Sequence, residues 1–135
     1  MKKYKIIIVE NDEDEQFFMQ KEFKDSNSFE LLTMAENGNE LLKWLDAHPQ
    51  NLPDLILSDL NMPGKNGYDI IKDVKRSDIY GHIPVVITST SSTPTIMNEC
   101  LSLGAAAYIV KPETFIAYAP FINELSEKIK TLEIA

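Results

Sequence analysis

Residues 53–64 read Pro-Asp-Leu-Ile-Leu-Ser-Asp-Leu-Asn-Met-Pro-Gly, a short apolar strand that runs into Asp59 and is broken at once by Pro63-Gly64. A carboxylate is thereby placed where a strand ends, and in open α/β sheets ligands bind outside the carboxyl ends of the strands. A second acidic feature, Glu10-Asn11-Asp12-Glu13-Asp14-Glu15, follows the first apolar run and holds five carboxylates in six residues. Acids there would repel phosphate, which excludes a nucleotide site built on Gly-, Ser- and Thr-rich backbone amides. Glu13, Asp14 and Glu15 suit the positive N-terminus of a first helix, an interaction worth about 0.3–1 kcal/mol each. Glu10 and Asn11 precede that helix and are better placed to face Asp59. Oxygen ligands converging from two strand ends suit a hard cation, and Mg²⁺ with several waters retained is expected.

The elements that must position these groups alternate. Strand-like runs recur at Lys5–Val9, Phe29–Met34, Leu55–Ser58, Pro84–Thr88 and Ala107–Val110. Between them, Leu41, Leu42 and Leu45, then Ile70, Ile71 and Val74, and finally Ile122, Leu125 and Ile129 each form one apolar stripe at helical spacing. A first helix over about residues 13–24 is less clean, because Phe17, Phe18, Met19 and Phe23 spread around the cylinder and leave some aromatics exposed. Thr93-Pro94 reads as an N-cap with proline at the first helical position, and Gly104 closes that helix. Five strands alternating with five helices imply an α/β fold, a parallel sheet covered on both faces. The first, third and fourth runs best suit strands buried on both sides.

At 135 residues and 15.3 kDa the chain is the size of one domain, expected over residues 1–135 with no effector domain. A formal charge of −8 argues against binding nucleic acid or an anionic membrane. No apolar run is long enough for a signal-peptide core or a membrane span. Cys100 is the only cysteine, so no internal disulfide forms and the cytoplasm is the expected compartment. His48 and His82 sit beside loop signals and are expected at the surface.

Taken in order, Glu10-Asn11-Asp12, the run Asp59-Leu60-Asn61-Met62-Pro63-Gly64 with Gly67, the hydroxyl at Ser89, Gly104-Ala105, Tyr108 and Lys111-Pro112 resemble the receiver domain of bacterial two-component response regulators. The resemblance spans essentially the whole chain, and its parts are specific jointly. It implies a flavodoxin-like, doubly wound (βα)5 fold with strand order 2-1-3-4-5. It also implies that Asp59 accepts a phosphoryl group from a histidine kinase or phosphotransfer protein. By that similarity, Mg²⁺ is held by Asp59, the Asn11 side chain, the Asn61 backbone carbonyl and Glu10, directly or through water. Lys111 pairs with the phosphoryl oxygens, aimed by a cis Lys111-Pro112 bond. Ser89 bonds the new phosphoryl group, with Thr88 as the competing register, and Tyr108 fills the space that Ser89 vacates. The fourth helix, fifth strand and fifth helix form the surface for a downstream protein, and a homodimer through the two helices follows by analogy. The chain is then a signalling domain, not an enzyme beyond assisting its own phosphorylation and dephosphorylation.

Three positions depart from the family pattern. Asn11 is neutral where a second acid is usual, with Asp12 next to it as a substitute. Thr90 replaces a small residue beside the phosphoryl site. Glu113-Thr114 precedes Phe115 where an aromatic usually comes sooner, and Pro120 is expected to interrupt the fifth helix. Two other readings follow. A pseudo-receiver would act without phosphorylation because Asn11 weakens the metal site. A phosphatase using an aspartyl-phosphate commonly needs an acid two residues after the nucleophile, where this chain has Asn61.

Overall fold

Strand and helix alternate from end to end of the computed structural model, which describes residues 3–112 and 118–133. The order is β1 (Tyr4–Val9), α1 (Glu13–Asp25), β2 (Phe29–Ala35), α2 (Gly38–Ala47), β3 (Leu55–Asp59), α3 (Gly67–Lys75), β4 (Val85–Ser89), α4 (Pro94–Leu103), β5 (Ala107–Val110) and α5 (Tyr118–Glu133). All strand pairs are parallel, in the order β2-β1-β3-β4-β5. The doubly wound α/β architecture and its strand order are therefore as the sequence implies.

Side-chain alternation along the strands divides the interior into two layers. Ile7, Val9, Ile56, Val85 and Ile87 pack with Leu41, Leu45, Ile70, Ile71 and Val74 on the α2/α3/α4 side. Ile6, Ile8, Leu55, Leu57 and Val86 pack with Met19, Phe23, Ile122, Leu125 and Ile129 on the α1/α5 side. The central strands β3 and β4 are buried at every position, whereas the edge strands β2 and β5 are partly open. On α1 the surplus aromatics do face outward: Phe17 and Phe18 are exposed while Met19 and Phe23 are buried. Both histidines are exposed.

Caps and glycines fix where the elements end. Asn66 and Asp69 exchange side-chain bonds with each other's backbone amides at 3.1 Å, a full capping box that starts α3. Gly104 ends α4 in the left-handed conformation (φ 113°), where glycine has no Cβ clash. Thr93 stands at the N-cap of α4 without a side-chain cap bond, because its hydroxyl accepts from Ser91 instead. A Cβ on Gly67 would lie 2.9 Å from Leu60 Cα and 3.0 Å from the Asp59 carbonyl, so α3 starts in direct contact with the end of β3.

Two sequence expectations need correction. Pro120 does not interrupt α5, because it falls at the third residue of the helix, in a first turn whose amides lack intrahelical acceptors anyway. No peptide bond among the described residues is cis, so Lys111–Pro112 is trans. Ion pairs with Glu10 and Glu15 hold Lys111. Glu113, Thr114 and Phe115 lie outside the described residues.

Candidate functional site

Parallel pairing brings the C-terminal ends of β1, β3 and β4 to one rim, with Val9 opposite Ser58 and Asp59 opposite Thr88. Asp59 is the last residue of β3 and only 8% exposed. Glu10, one residue past β1, is 1% exposed. Lys111, one residue past β5, is held to the rim by its backbone amide, which donates to the Ser89 carbonyl at 2.8 Å. Its ammonium donates to Glu10 Oε1 at 2.8 Å and Glu15 Oε2 at 3.0 Å, and lies 3.4 Å from Asp59 Oδ2.

Three carboxylates therefore face one ammonium, and two negative charges remain uncompensated when all are ionised. Burial pushes the Glu10 carboxyl from 4.5 up to about 7; the bond to Lys111 opposes the rise and the charge of Asp59 adds to it. Burial also raises Asp59, against the pull of Lys111 and of the Asn61 backbone amide. For Lys111 burial acts the other way, but Glu10, Asp59 and Glu15 together outweigh it and hold the ammonium charged. In an isolated ion pair the acid would move down as the base moves up. Here both move up, because one cation cannot compensate the desolvation of two buried acids. The all-oxygen donors on this rim suit a hard divalent cation. Among the described residues, no group of three or more His, Cys, Asp or Glu is arranged to hold a metal by itself, so neutral oxygens would complete the set.

The acidic loop is arranged differently from the expectation. Asn11 is exposed at its tip. Asp12, expected to substitute for it, instead caps α1: its Oδ1 accepts from the Glu15 amide at 2.9 Å, and its own amide donates to Glu10 Oε2 at 3.1 Å. Glu15, read from sequence as a helix-end acid, reaches the centre of the site. Its second oxygen accepts from the Tyr118 hydroxyl at 3.0 Å, and that ring is fully buried in the core of the α1/α5 layer. Glu15, Met19 and Phe23 recur every four residues on one face of α1, and the latter two are buried. An acid on the buried stripe was the signal that could have singled out Glu15.

On the other layer, Ser89 and Tyr108, the two residues expected to form a switch, meet through a third. Ser89 Oγ accepts from the Ser91 amide at 3.2 Å, and the Tyr108 hydroxyl donates to the Ser91 carbonyl at 2.8 Å. Ser91 thus bridges Ser89 and Tyr108, and since every residue from 88 to 93 is Ser or Thr, the sequence does not single it out. Thr88, the competing register, is buried opposite Asp59, and its hydroxyl has no hydrogen-bond partner. Thr90 is exposed.

With this geometry in place, comparison with known proteins is specific. A family model described as the response regulator receiver domain matches residues 6–117. The two-component response regulator ORR12 of Oryza sativa subsp. japonica is 37% identical over 93 residues, covering 68% of this chain and 74% of that protein. Of two Arabidopsis thaliana regulators the chain spans smaller shares, 59% and 43%. The phosphorylated cyanobacterial phytochrome response regulator RcpA superposes with a TM-score of 0.73 at 27% identity, covering 98% of this chain and 92% of that one. The Mn²⁺-bound form of response regulator Rcp1 gives 0.71 at 24% identity, covering 96% and 91%. The curated relatives named here are from plants, so they lend no support to a bacterial source.

Proposed function

The chain belongs to the response regulator receiver domain family, and on that premise we propose that Asp59 is its phosphoacceptor. Its role is that of a phosphoacceptor signalling domain in two-component systems, whose receivers interact with histidine kinases or phosphotransfer proteins. The observation that carries the assignment is a buried strand-end carboxylate with the Lys111 ammonium 3.4 Å away. Other acids on the rim have roles that compete: Glu10 pairs with Lys111, Asp12 caps α1, and Glu15 is divided between Lys111 and Tyr118.

In the proposed reaction an Asp59 carboxylate oxygen attacks the phosphorus of a phosphohistidine. The new P–O bond forms as the P–N bond breaks, and the leaving imidazole nitrogen keeps the electron pair. Transfer through a loose transition state needs positioning and charge neutralisation. Lys111 supplies one positive charge, and the Ser89 hydroxyl bonds a phosphoryl oxygen once it leaves the Ser91 amide. Mg²⁺, when bound, would neutralise phosphoryl oxygens, held by Glu10, Asp59, the Asn61 carbonyl and Asn11. The rim fits that cation because its two buried carboxylates are undercompensated.

Loss of the Ser89–Ser91 bond would loosen the Ser91–Tyr108 bond, and this is the proposed route to an α4/β5/α5 surface read by a downstream protein. The phosphatase reading lacks its second acid, since Asn61 occupies that position. The pseudo-receiver reading rests on Asn11, yet Glu15 brings a third carboxylate to Lys111. Among the described residues no helix is long and apolar enough to cross a membrane; the cytoplasm is the proposed compartment.

Incubation with acetyl phosphate and Mg²⁺ followed by intact-mass measurement tests the assignment. The expected result is one added phosphoryl group on the wild type and none on Asp59→Ala. An unmodified wild type at high Mg²⁺, or a modified Asp59→Ala, overturns it.

A further inference from the structure

Lys111 is surrounded by more acid than the reaction at Asp59 requires. A lysine ammonium has three N–H donors, and Glu10, Glu15 and Asp59 lie 2.8, 3.0 and 3.4 Å from it. When a phosphoryl group on Asp59 presents new anionic oxygens, these compete for Lys111 with its two hydrogen-bond acceptors, Glu10 and Glu15. Glu10 is almost completely buried and also accepts from the Asp12 amide, so only a bound cation, and not water, could take the place of the ammonium there. The Glu15 side chain is 22% exposed in the first turn of α1, so water can replace the ammonium there most readily.

Glu15 also reaches beyond the site. It accepts from the hydroxyl of Tyr118, the first residue of α5, whose ring packs edge-on against Phe121 at 5.5 Å. We propose that Glu15 is a positioning residue, the resting counterion that Lys111 gives up when Asp59 is phosphorylated, and that Tyr118 passes this exchange to α5. The idea rests on Asp59 being the phosphoacceptor. It gives the domain a second output path: Ser91 and Tyr108 lie toward the α2/α3/α4 layer, whereas Glu15 and Tyr118 lie toward the α1/α5 layer.

The test uses the full chain with acetyl phosphate at saturating Mg²⁺. Uptake is followed by intact mass, and backbone amide shifts are recorded before and after phosphorylation. Gln in Glu15→Gln keeps the shape and can still accept from Tyr118, but lacks the charge that holds Lys111. It should take up phosphate about 3–10-fold faster than wild type, the factor expected when one competing unit charge leaves a partly solvated site. Phosphorylation should shift the Phe121 and Ile122 amides in the wild type. In both Glu15→Gln and Tyr118→Phe those shifts should fall by more than half, while the Ser91 and Tyr108 shifts persist. Unchanged or slower uptake by Glu15→Gln overturns the proposal, as do α5 shifts that survive in either variant. Wild-type uptake that fails altogether overturns the Asp59 assignment instead, so the two failures are distinct.

Discussion

The turn after β3 and the loop after β1 face each other across one rim but are built by different means. Backbone builds the first: Gly64 takes a positive φ of 76°, Asn66 and Asp69 close a capping box, and Gly67 donates to the Leu60 carbonyl at 2.9 Å. Side chains build the second, through the bonds of Glu10 and Glu15 to Lys111 and of Asp12 to the start of α1. Backbone features tie a role to a position in the sequence. A carboxylate on a flexible stem is freer, and α1 delivers Glu15 to the ammonium although it lies five residues beyond Glu10.

The variant that separates the two regions most is Lys111→Met. It leaves the β3 turn intact but strands the loop's buried acid, and should lower unfolding free energy by about 3 kcal/mol near pH 8 in metal-free protein, measured by urea melts. A loss well under 1 kcal/mol would mean that water, not Lys111, supports the loop.

A smaller effect follows from proton linkage. The Glu10 carboxyl titrates near 4.5 when unfolded and near 7 when folded. Between those values the native state holds more protons, so stability falls as pH rises through the window and levels off above it. Asp59 is raised too and contributes with the same sign. In EDTA the unfolding free energy from urea melts should drop between about pH 5.5 and 8, by on the order of 2 kcal/mol in all. Saturating Mg²⁺ should flatten that slope by favouring the ionised carboxylates; an equal slope with and without the metal would separate Glu10 from the cation site.

Asn11→Asp should have the smallest effect, tightening Mg²⁺ by up to about tenfold in calorimetric titration. An unchanged dissociation constant would show that Asn11 does not touch the cation, and that the loop acts through Glu10 alone.

Much of the fold was legible because periodicity records which faces are buried. The stripes of α2, α3 and α5 and the runs of β1, β3 and β4 lie close to where alternation and helical spacing put them. Pro120 was misjudged because a proline's effect depends on its distance from the helix start, which periodicity fixes poorly. Asp59, Glu10 and Lys111 were legible as strand-end residues and do converge. Ser91 and Tyr118 were not, since the bonds that tie Tyr108 to Ser91 and Tyr118 to Glu15 join residues distant in sequence and leave no local pattern. Glu15 was hidden in an acidic run whose dipole explanation was sufficient in itself.

Gly67 carries no functional group, yet it starts α3 against the end of β3 with less than a methyl's clearance. Its constraint is one of space and not of backbone angle. In a saturation screen scored on phosphorylation, this chemically blank position should therefore be as intolerant of substitution as the reactive residues. An assay that ranks positions by sensitivity alone would mistake it for one of them.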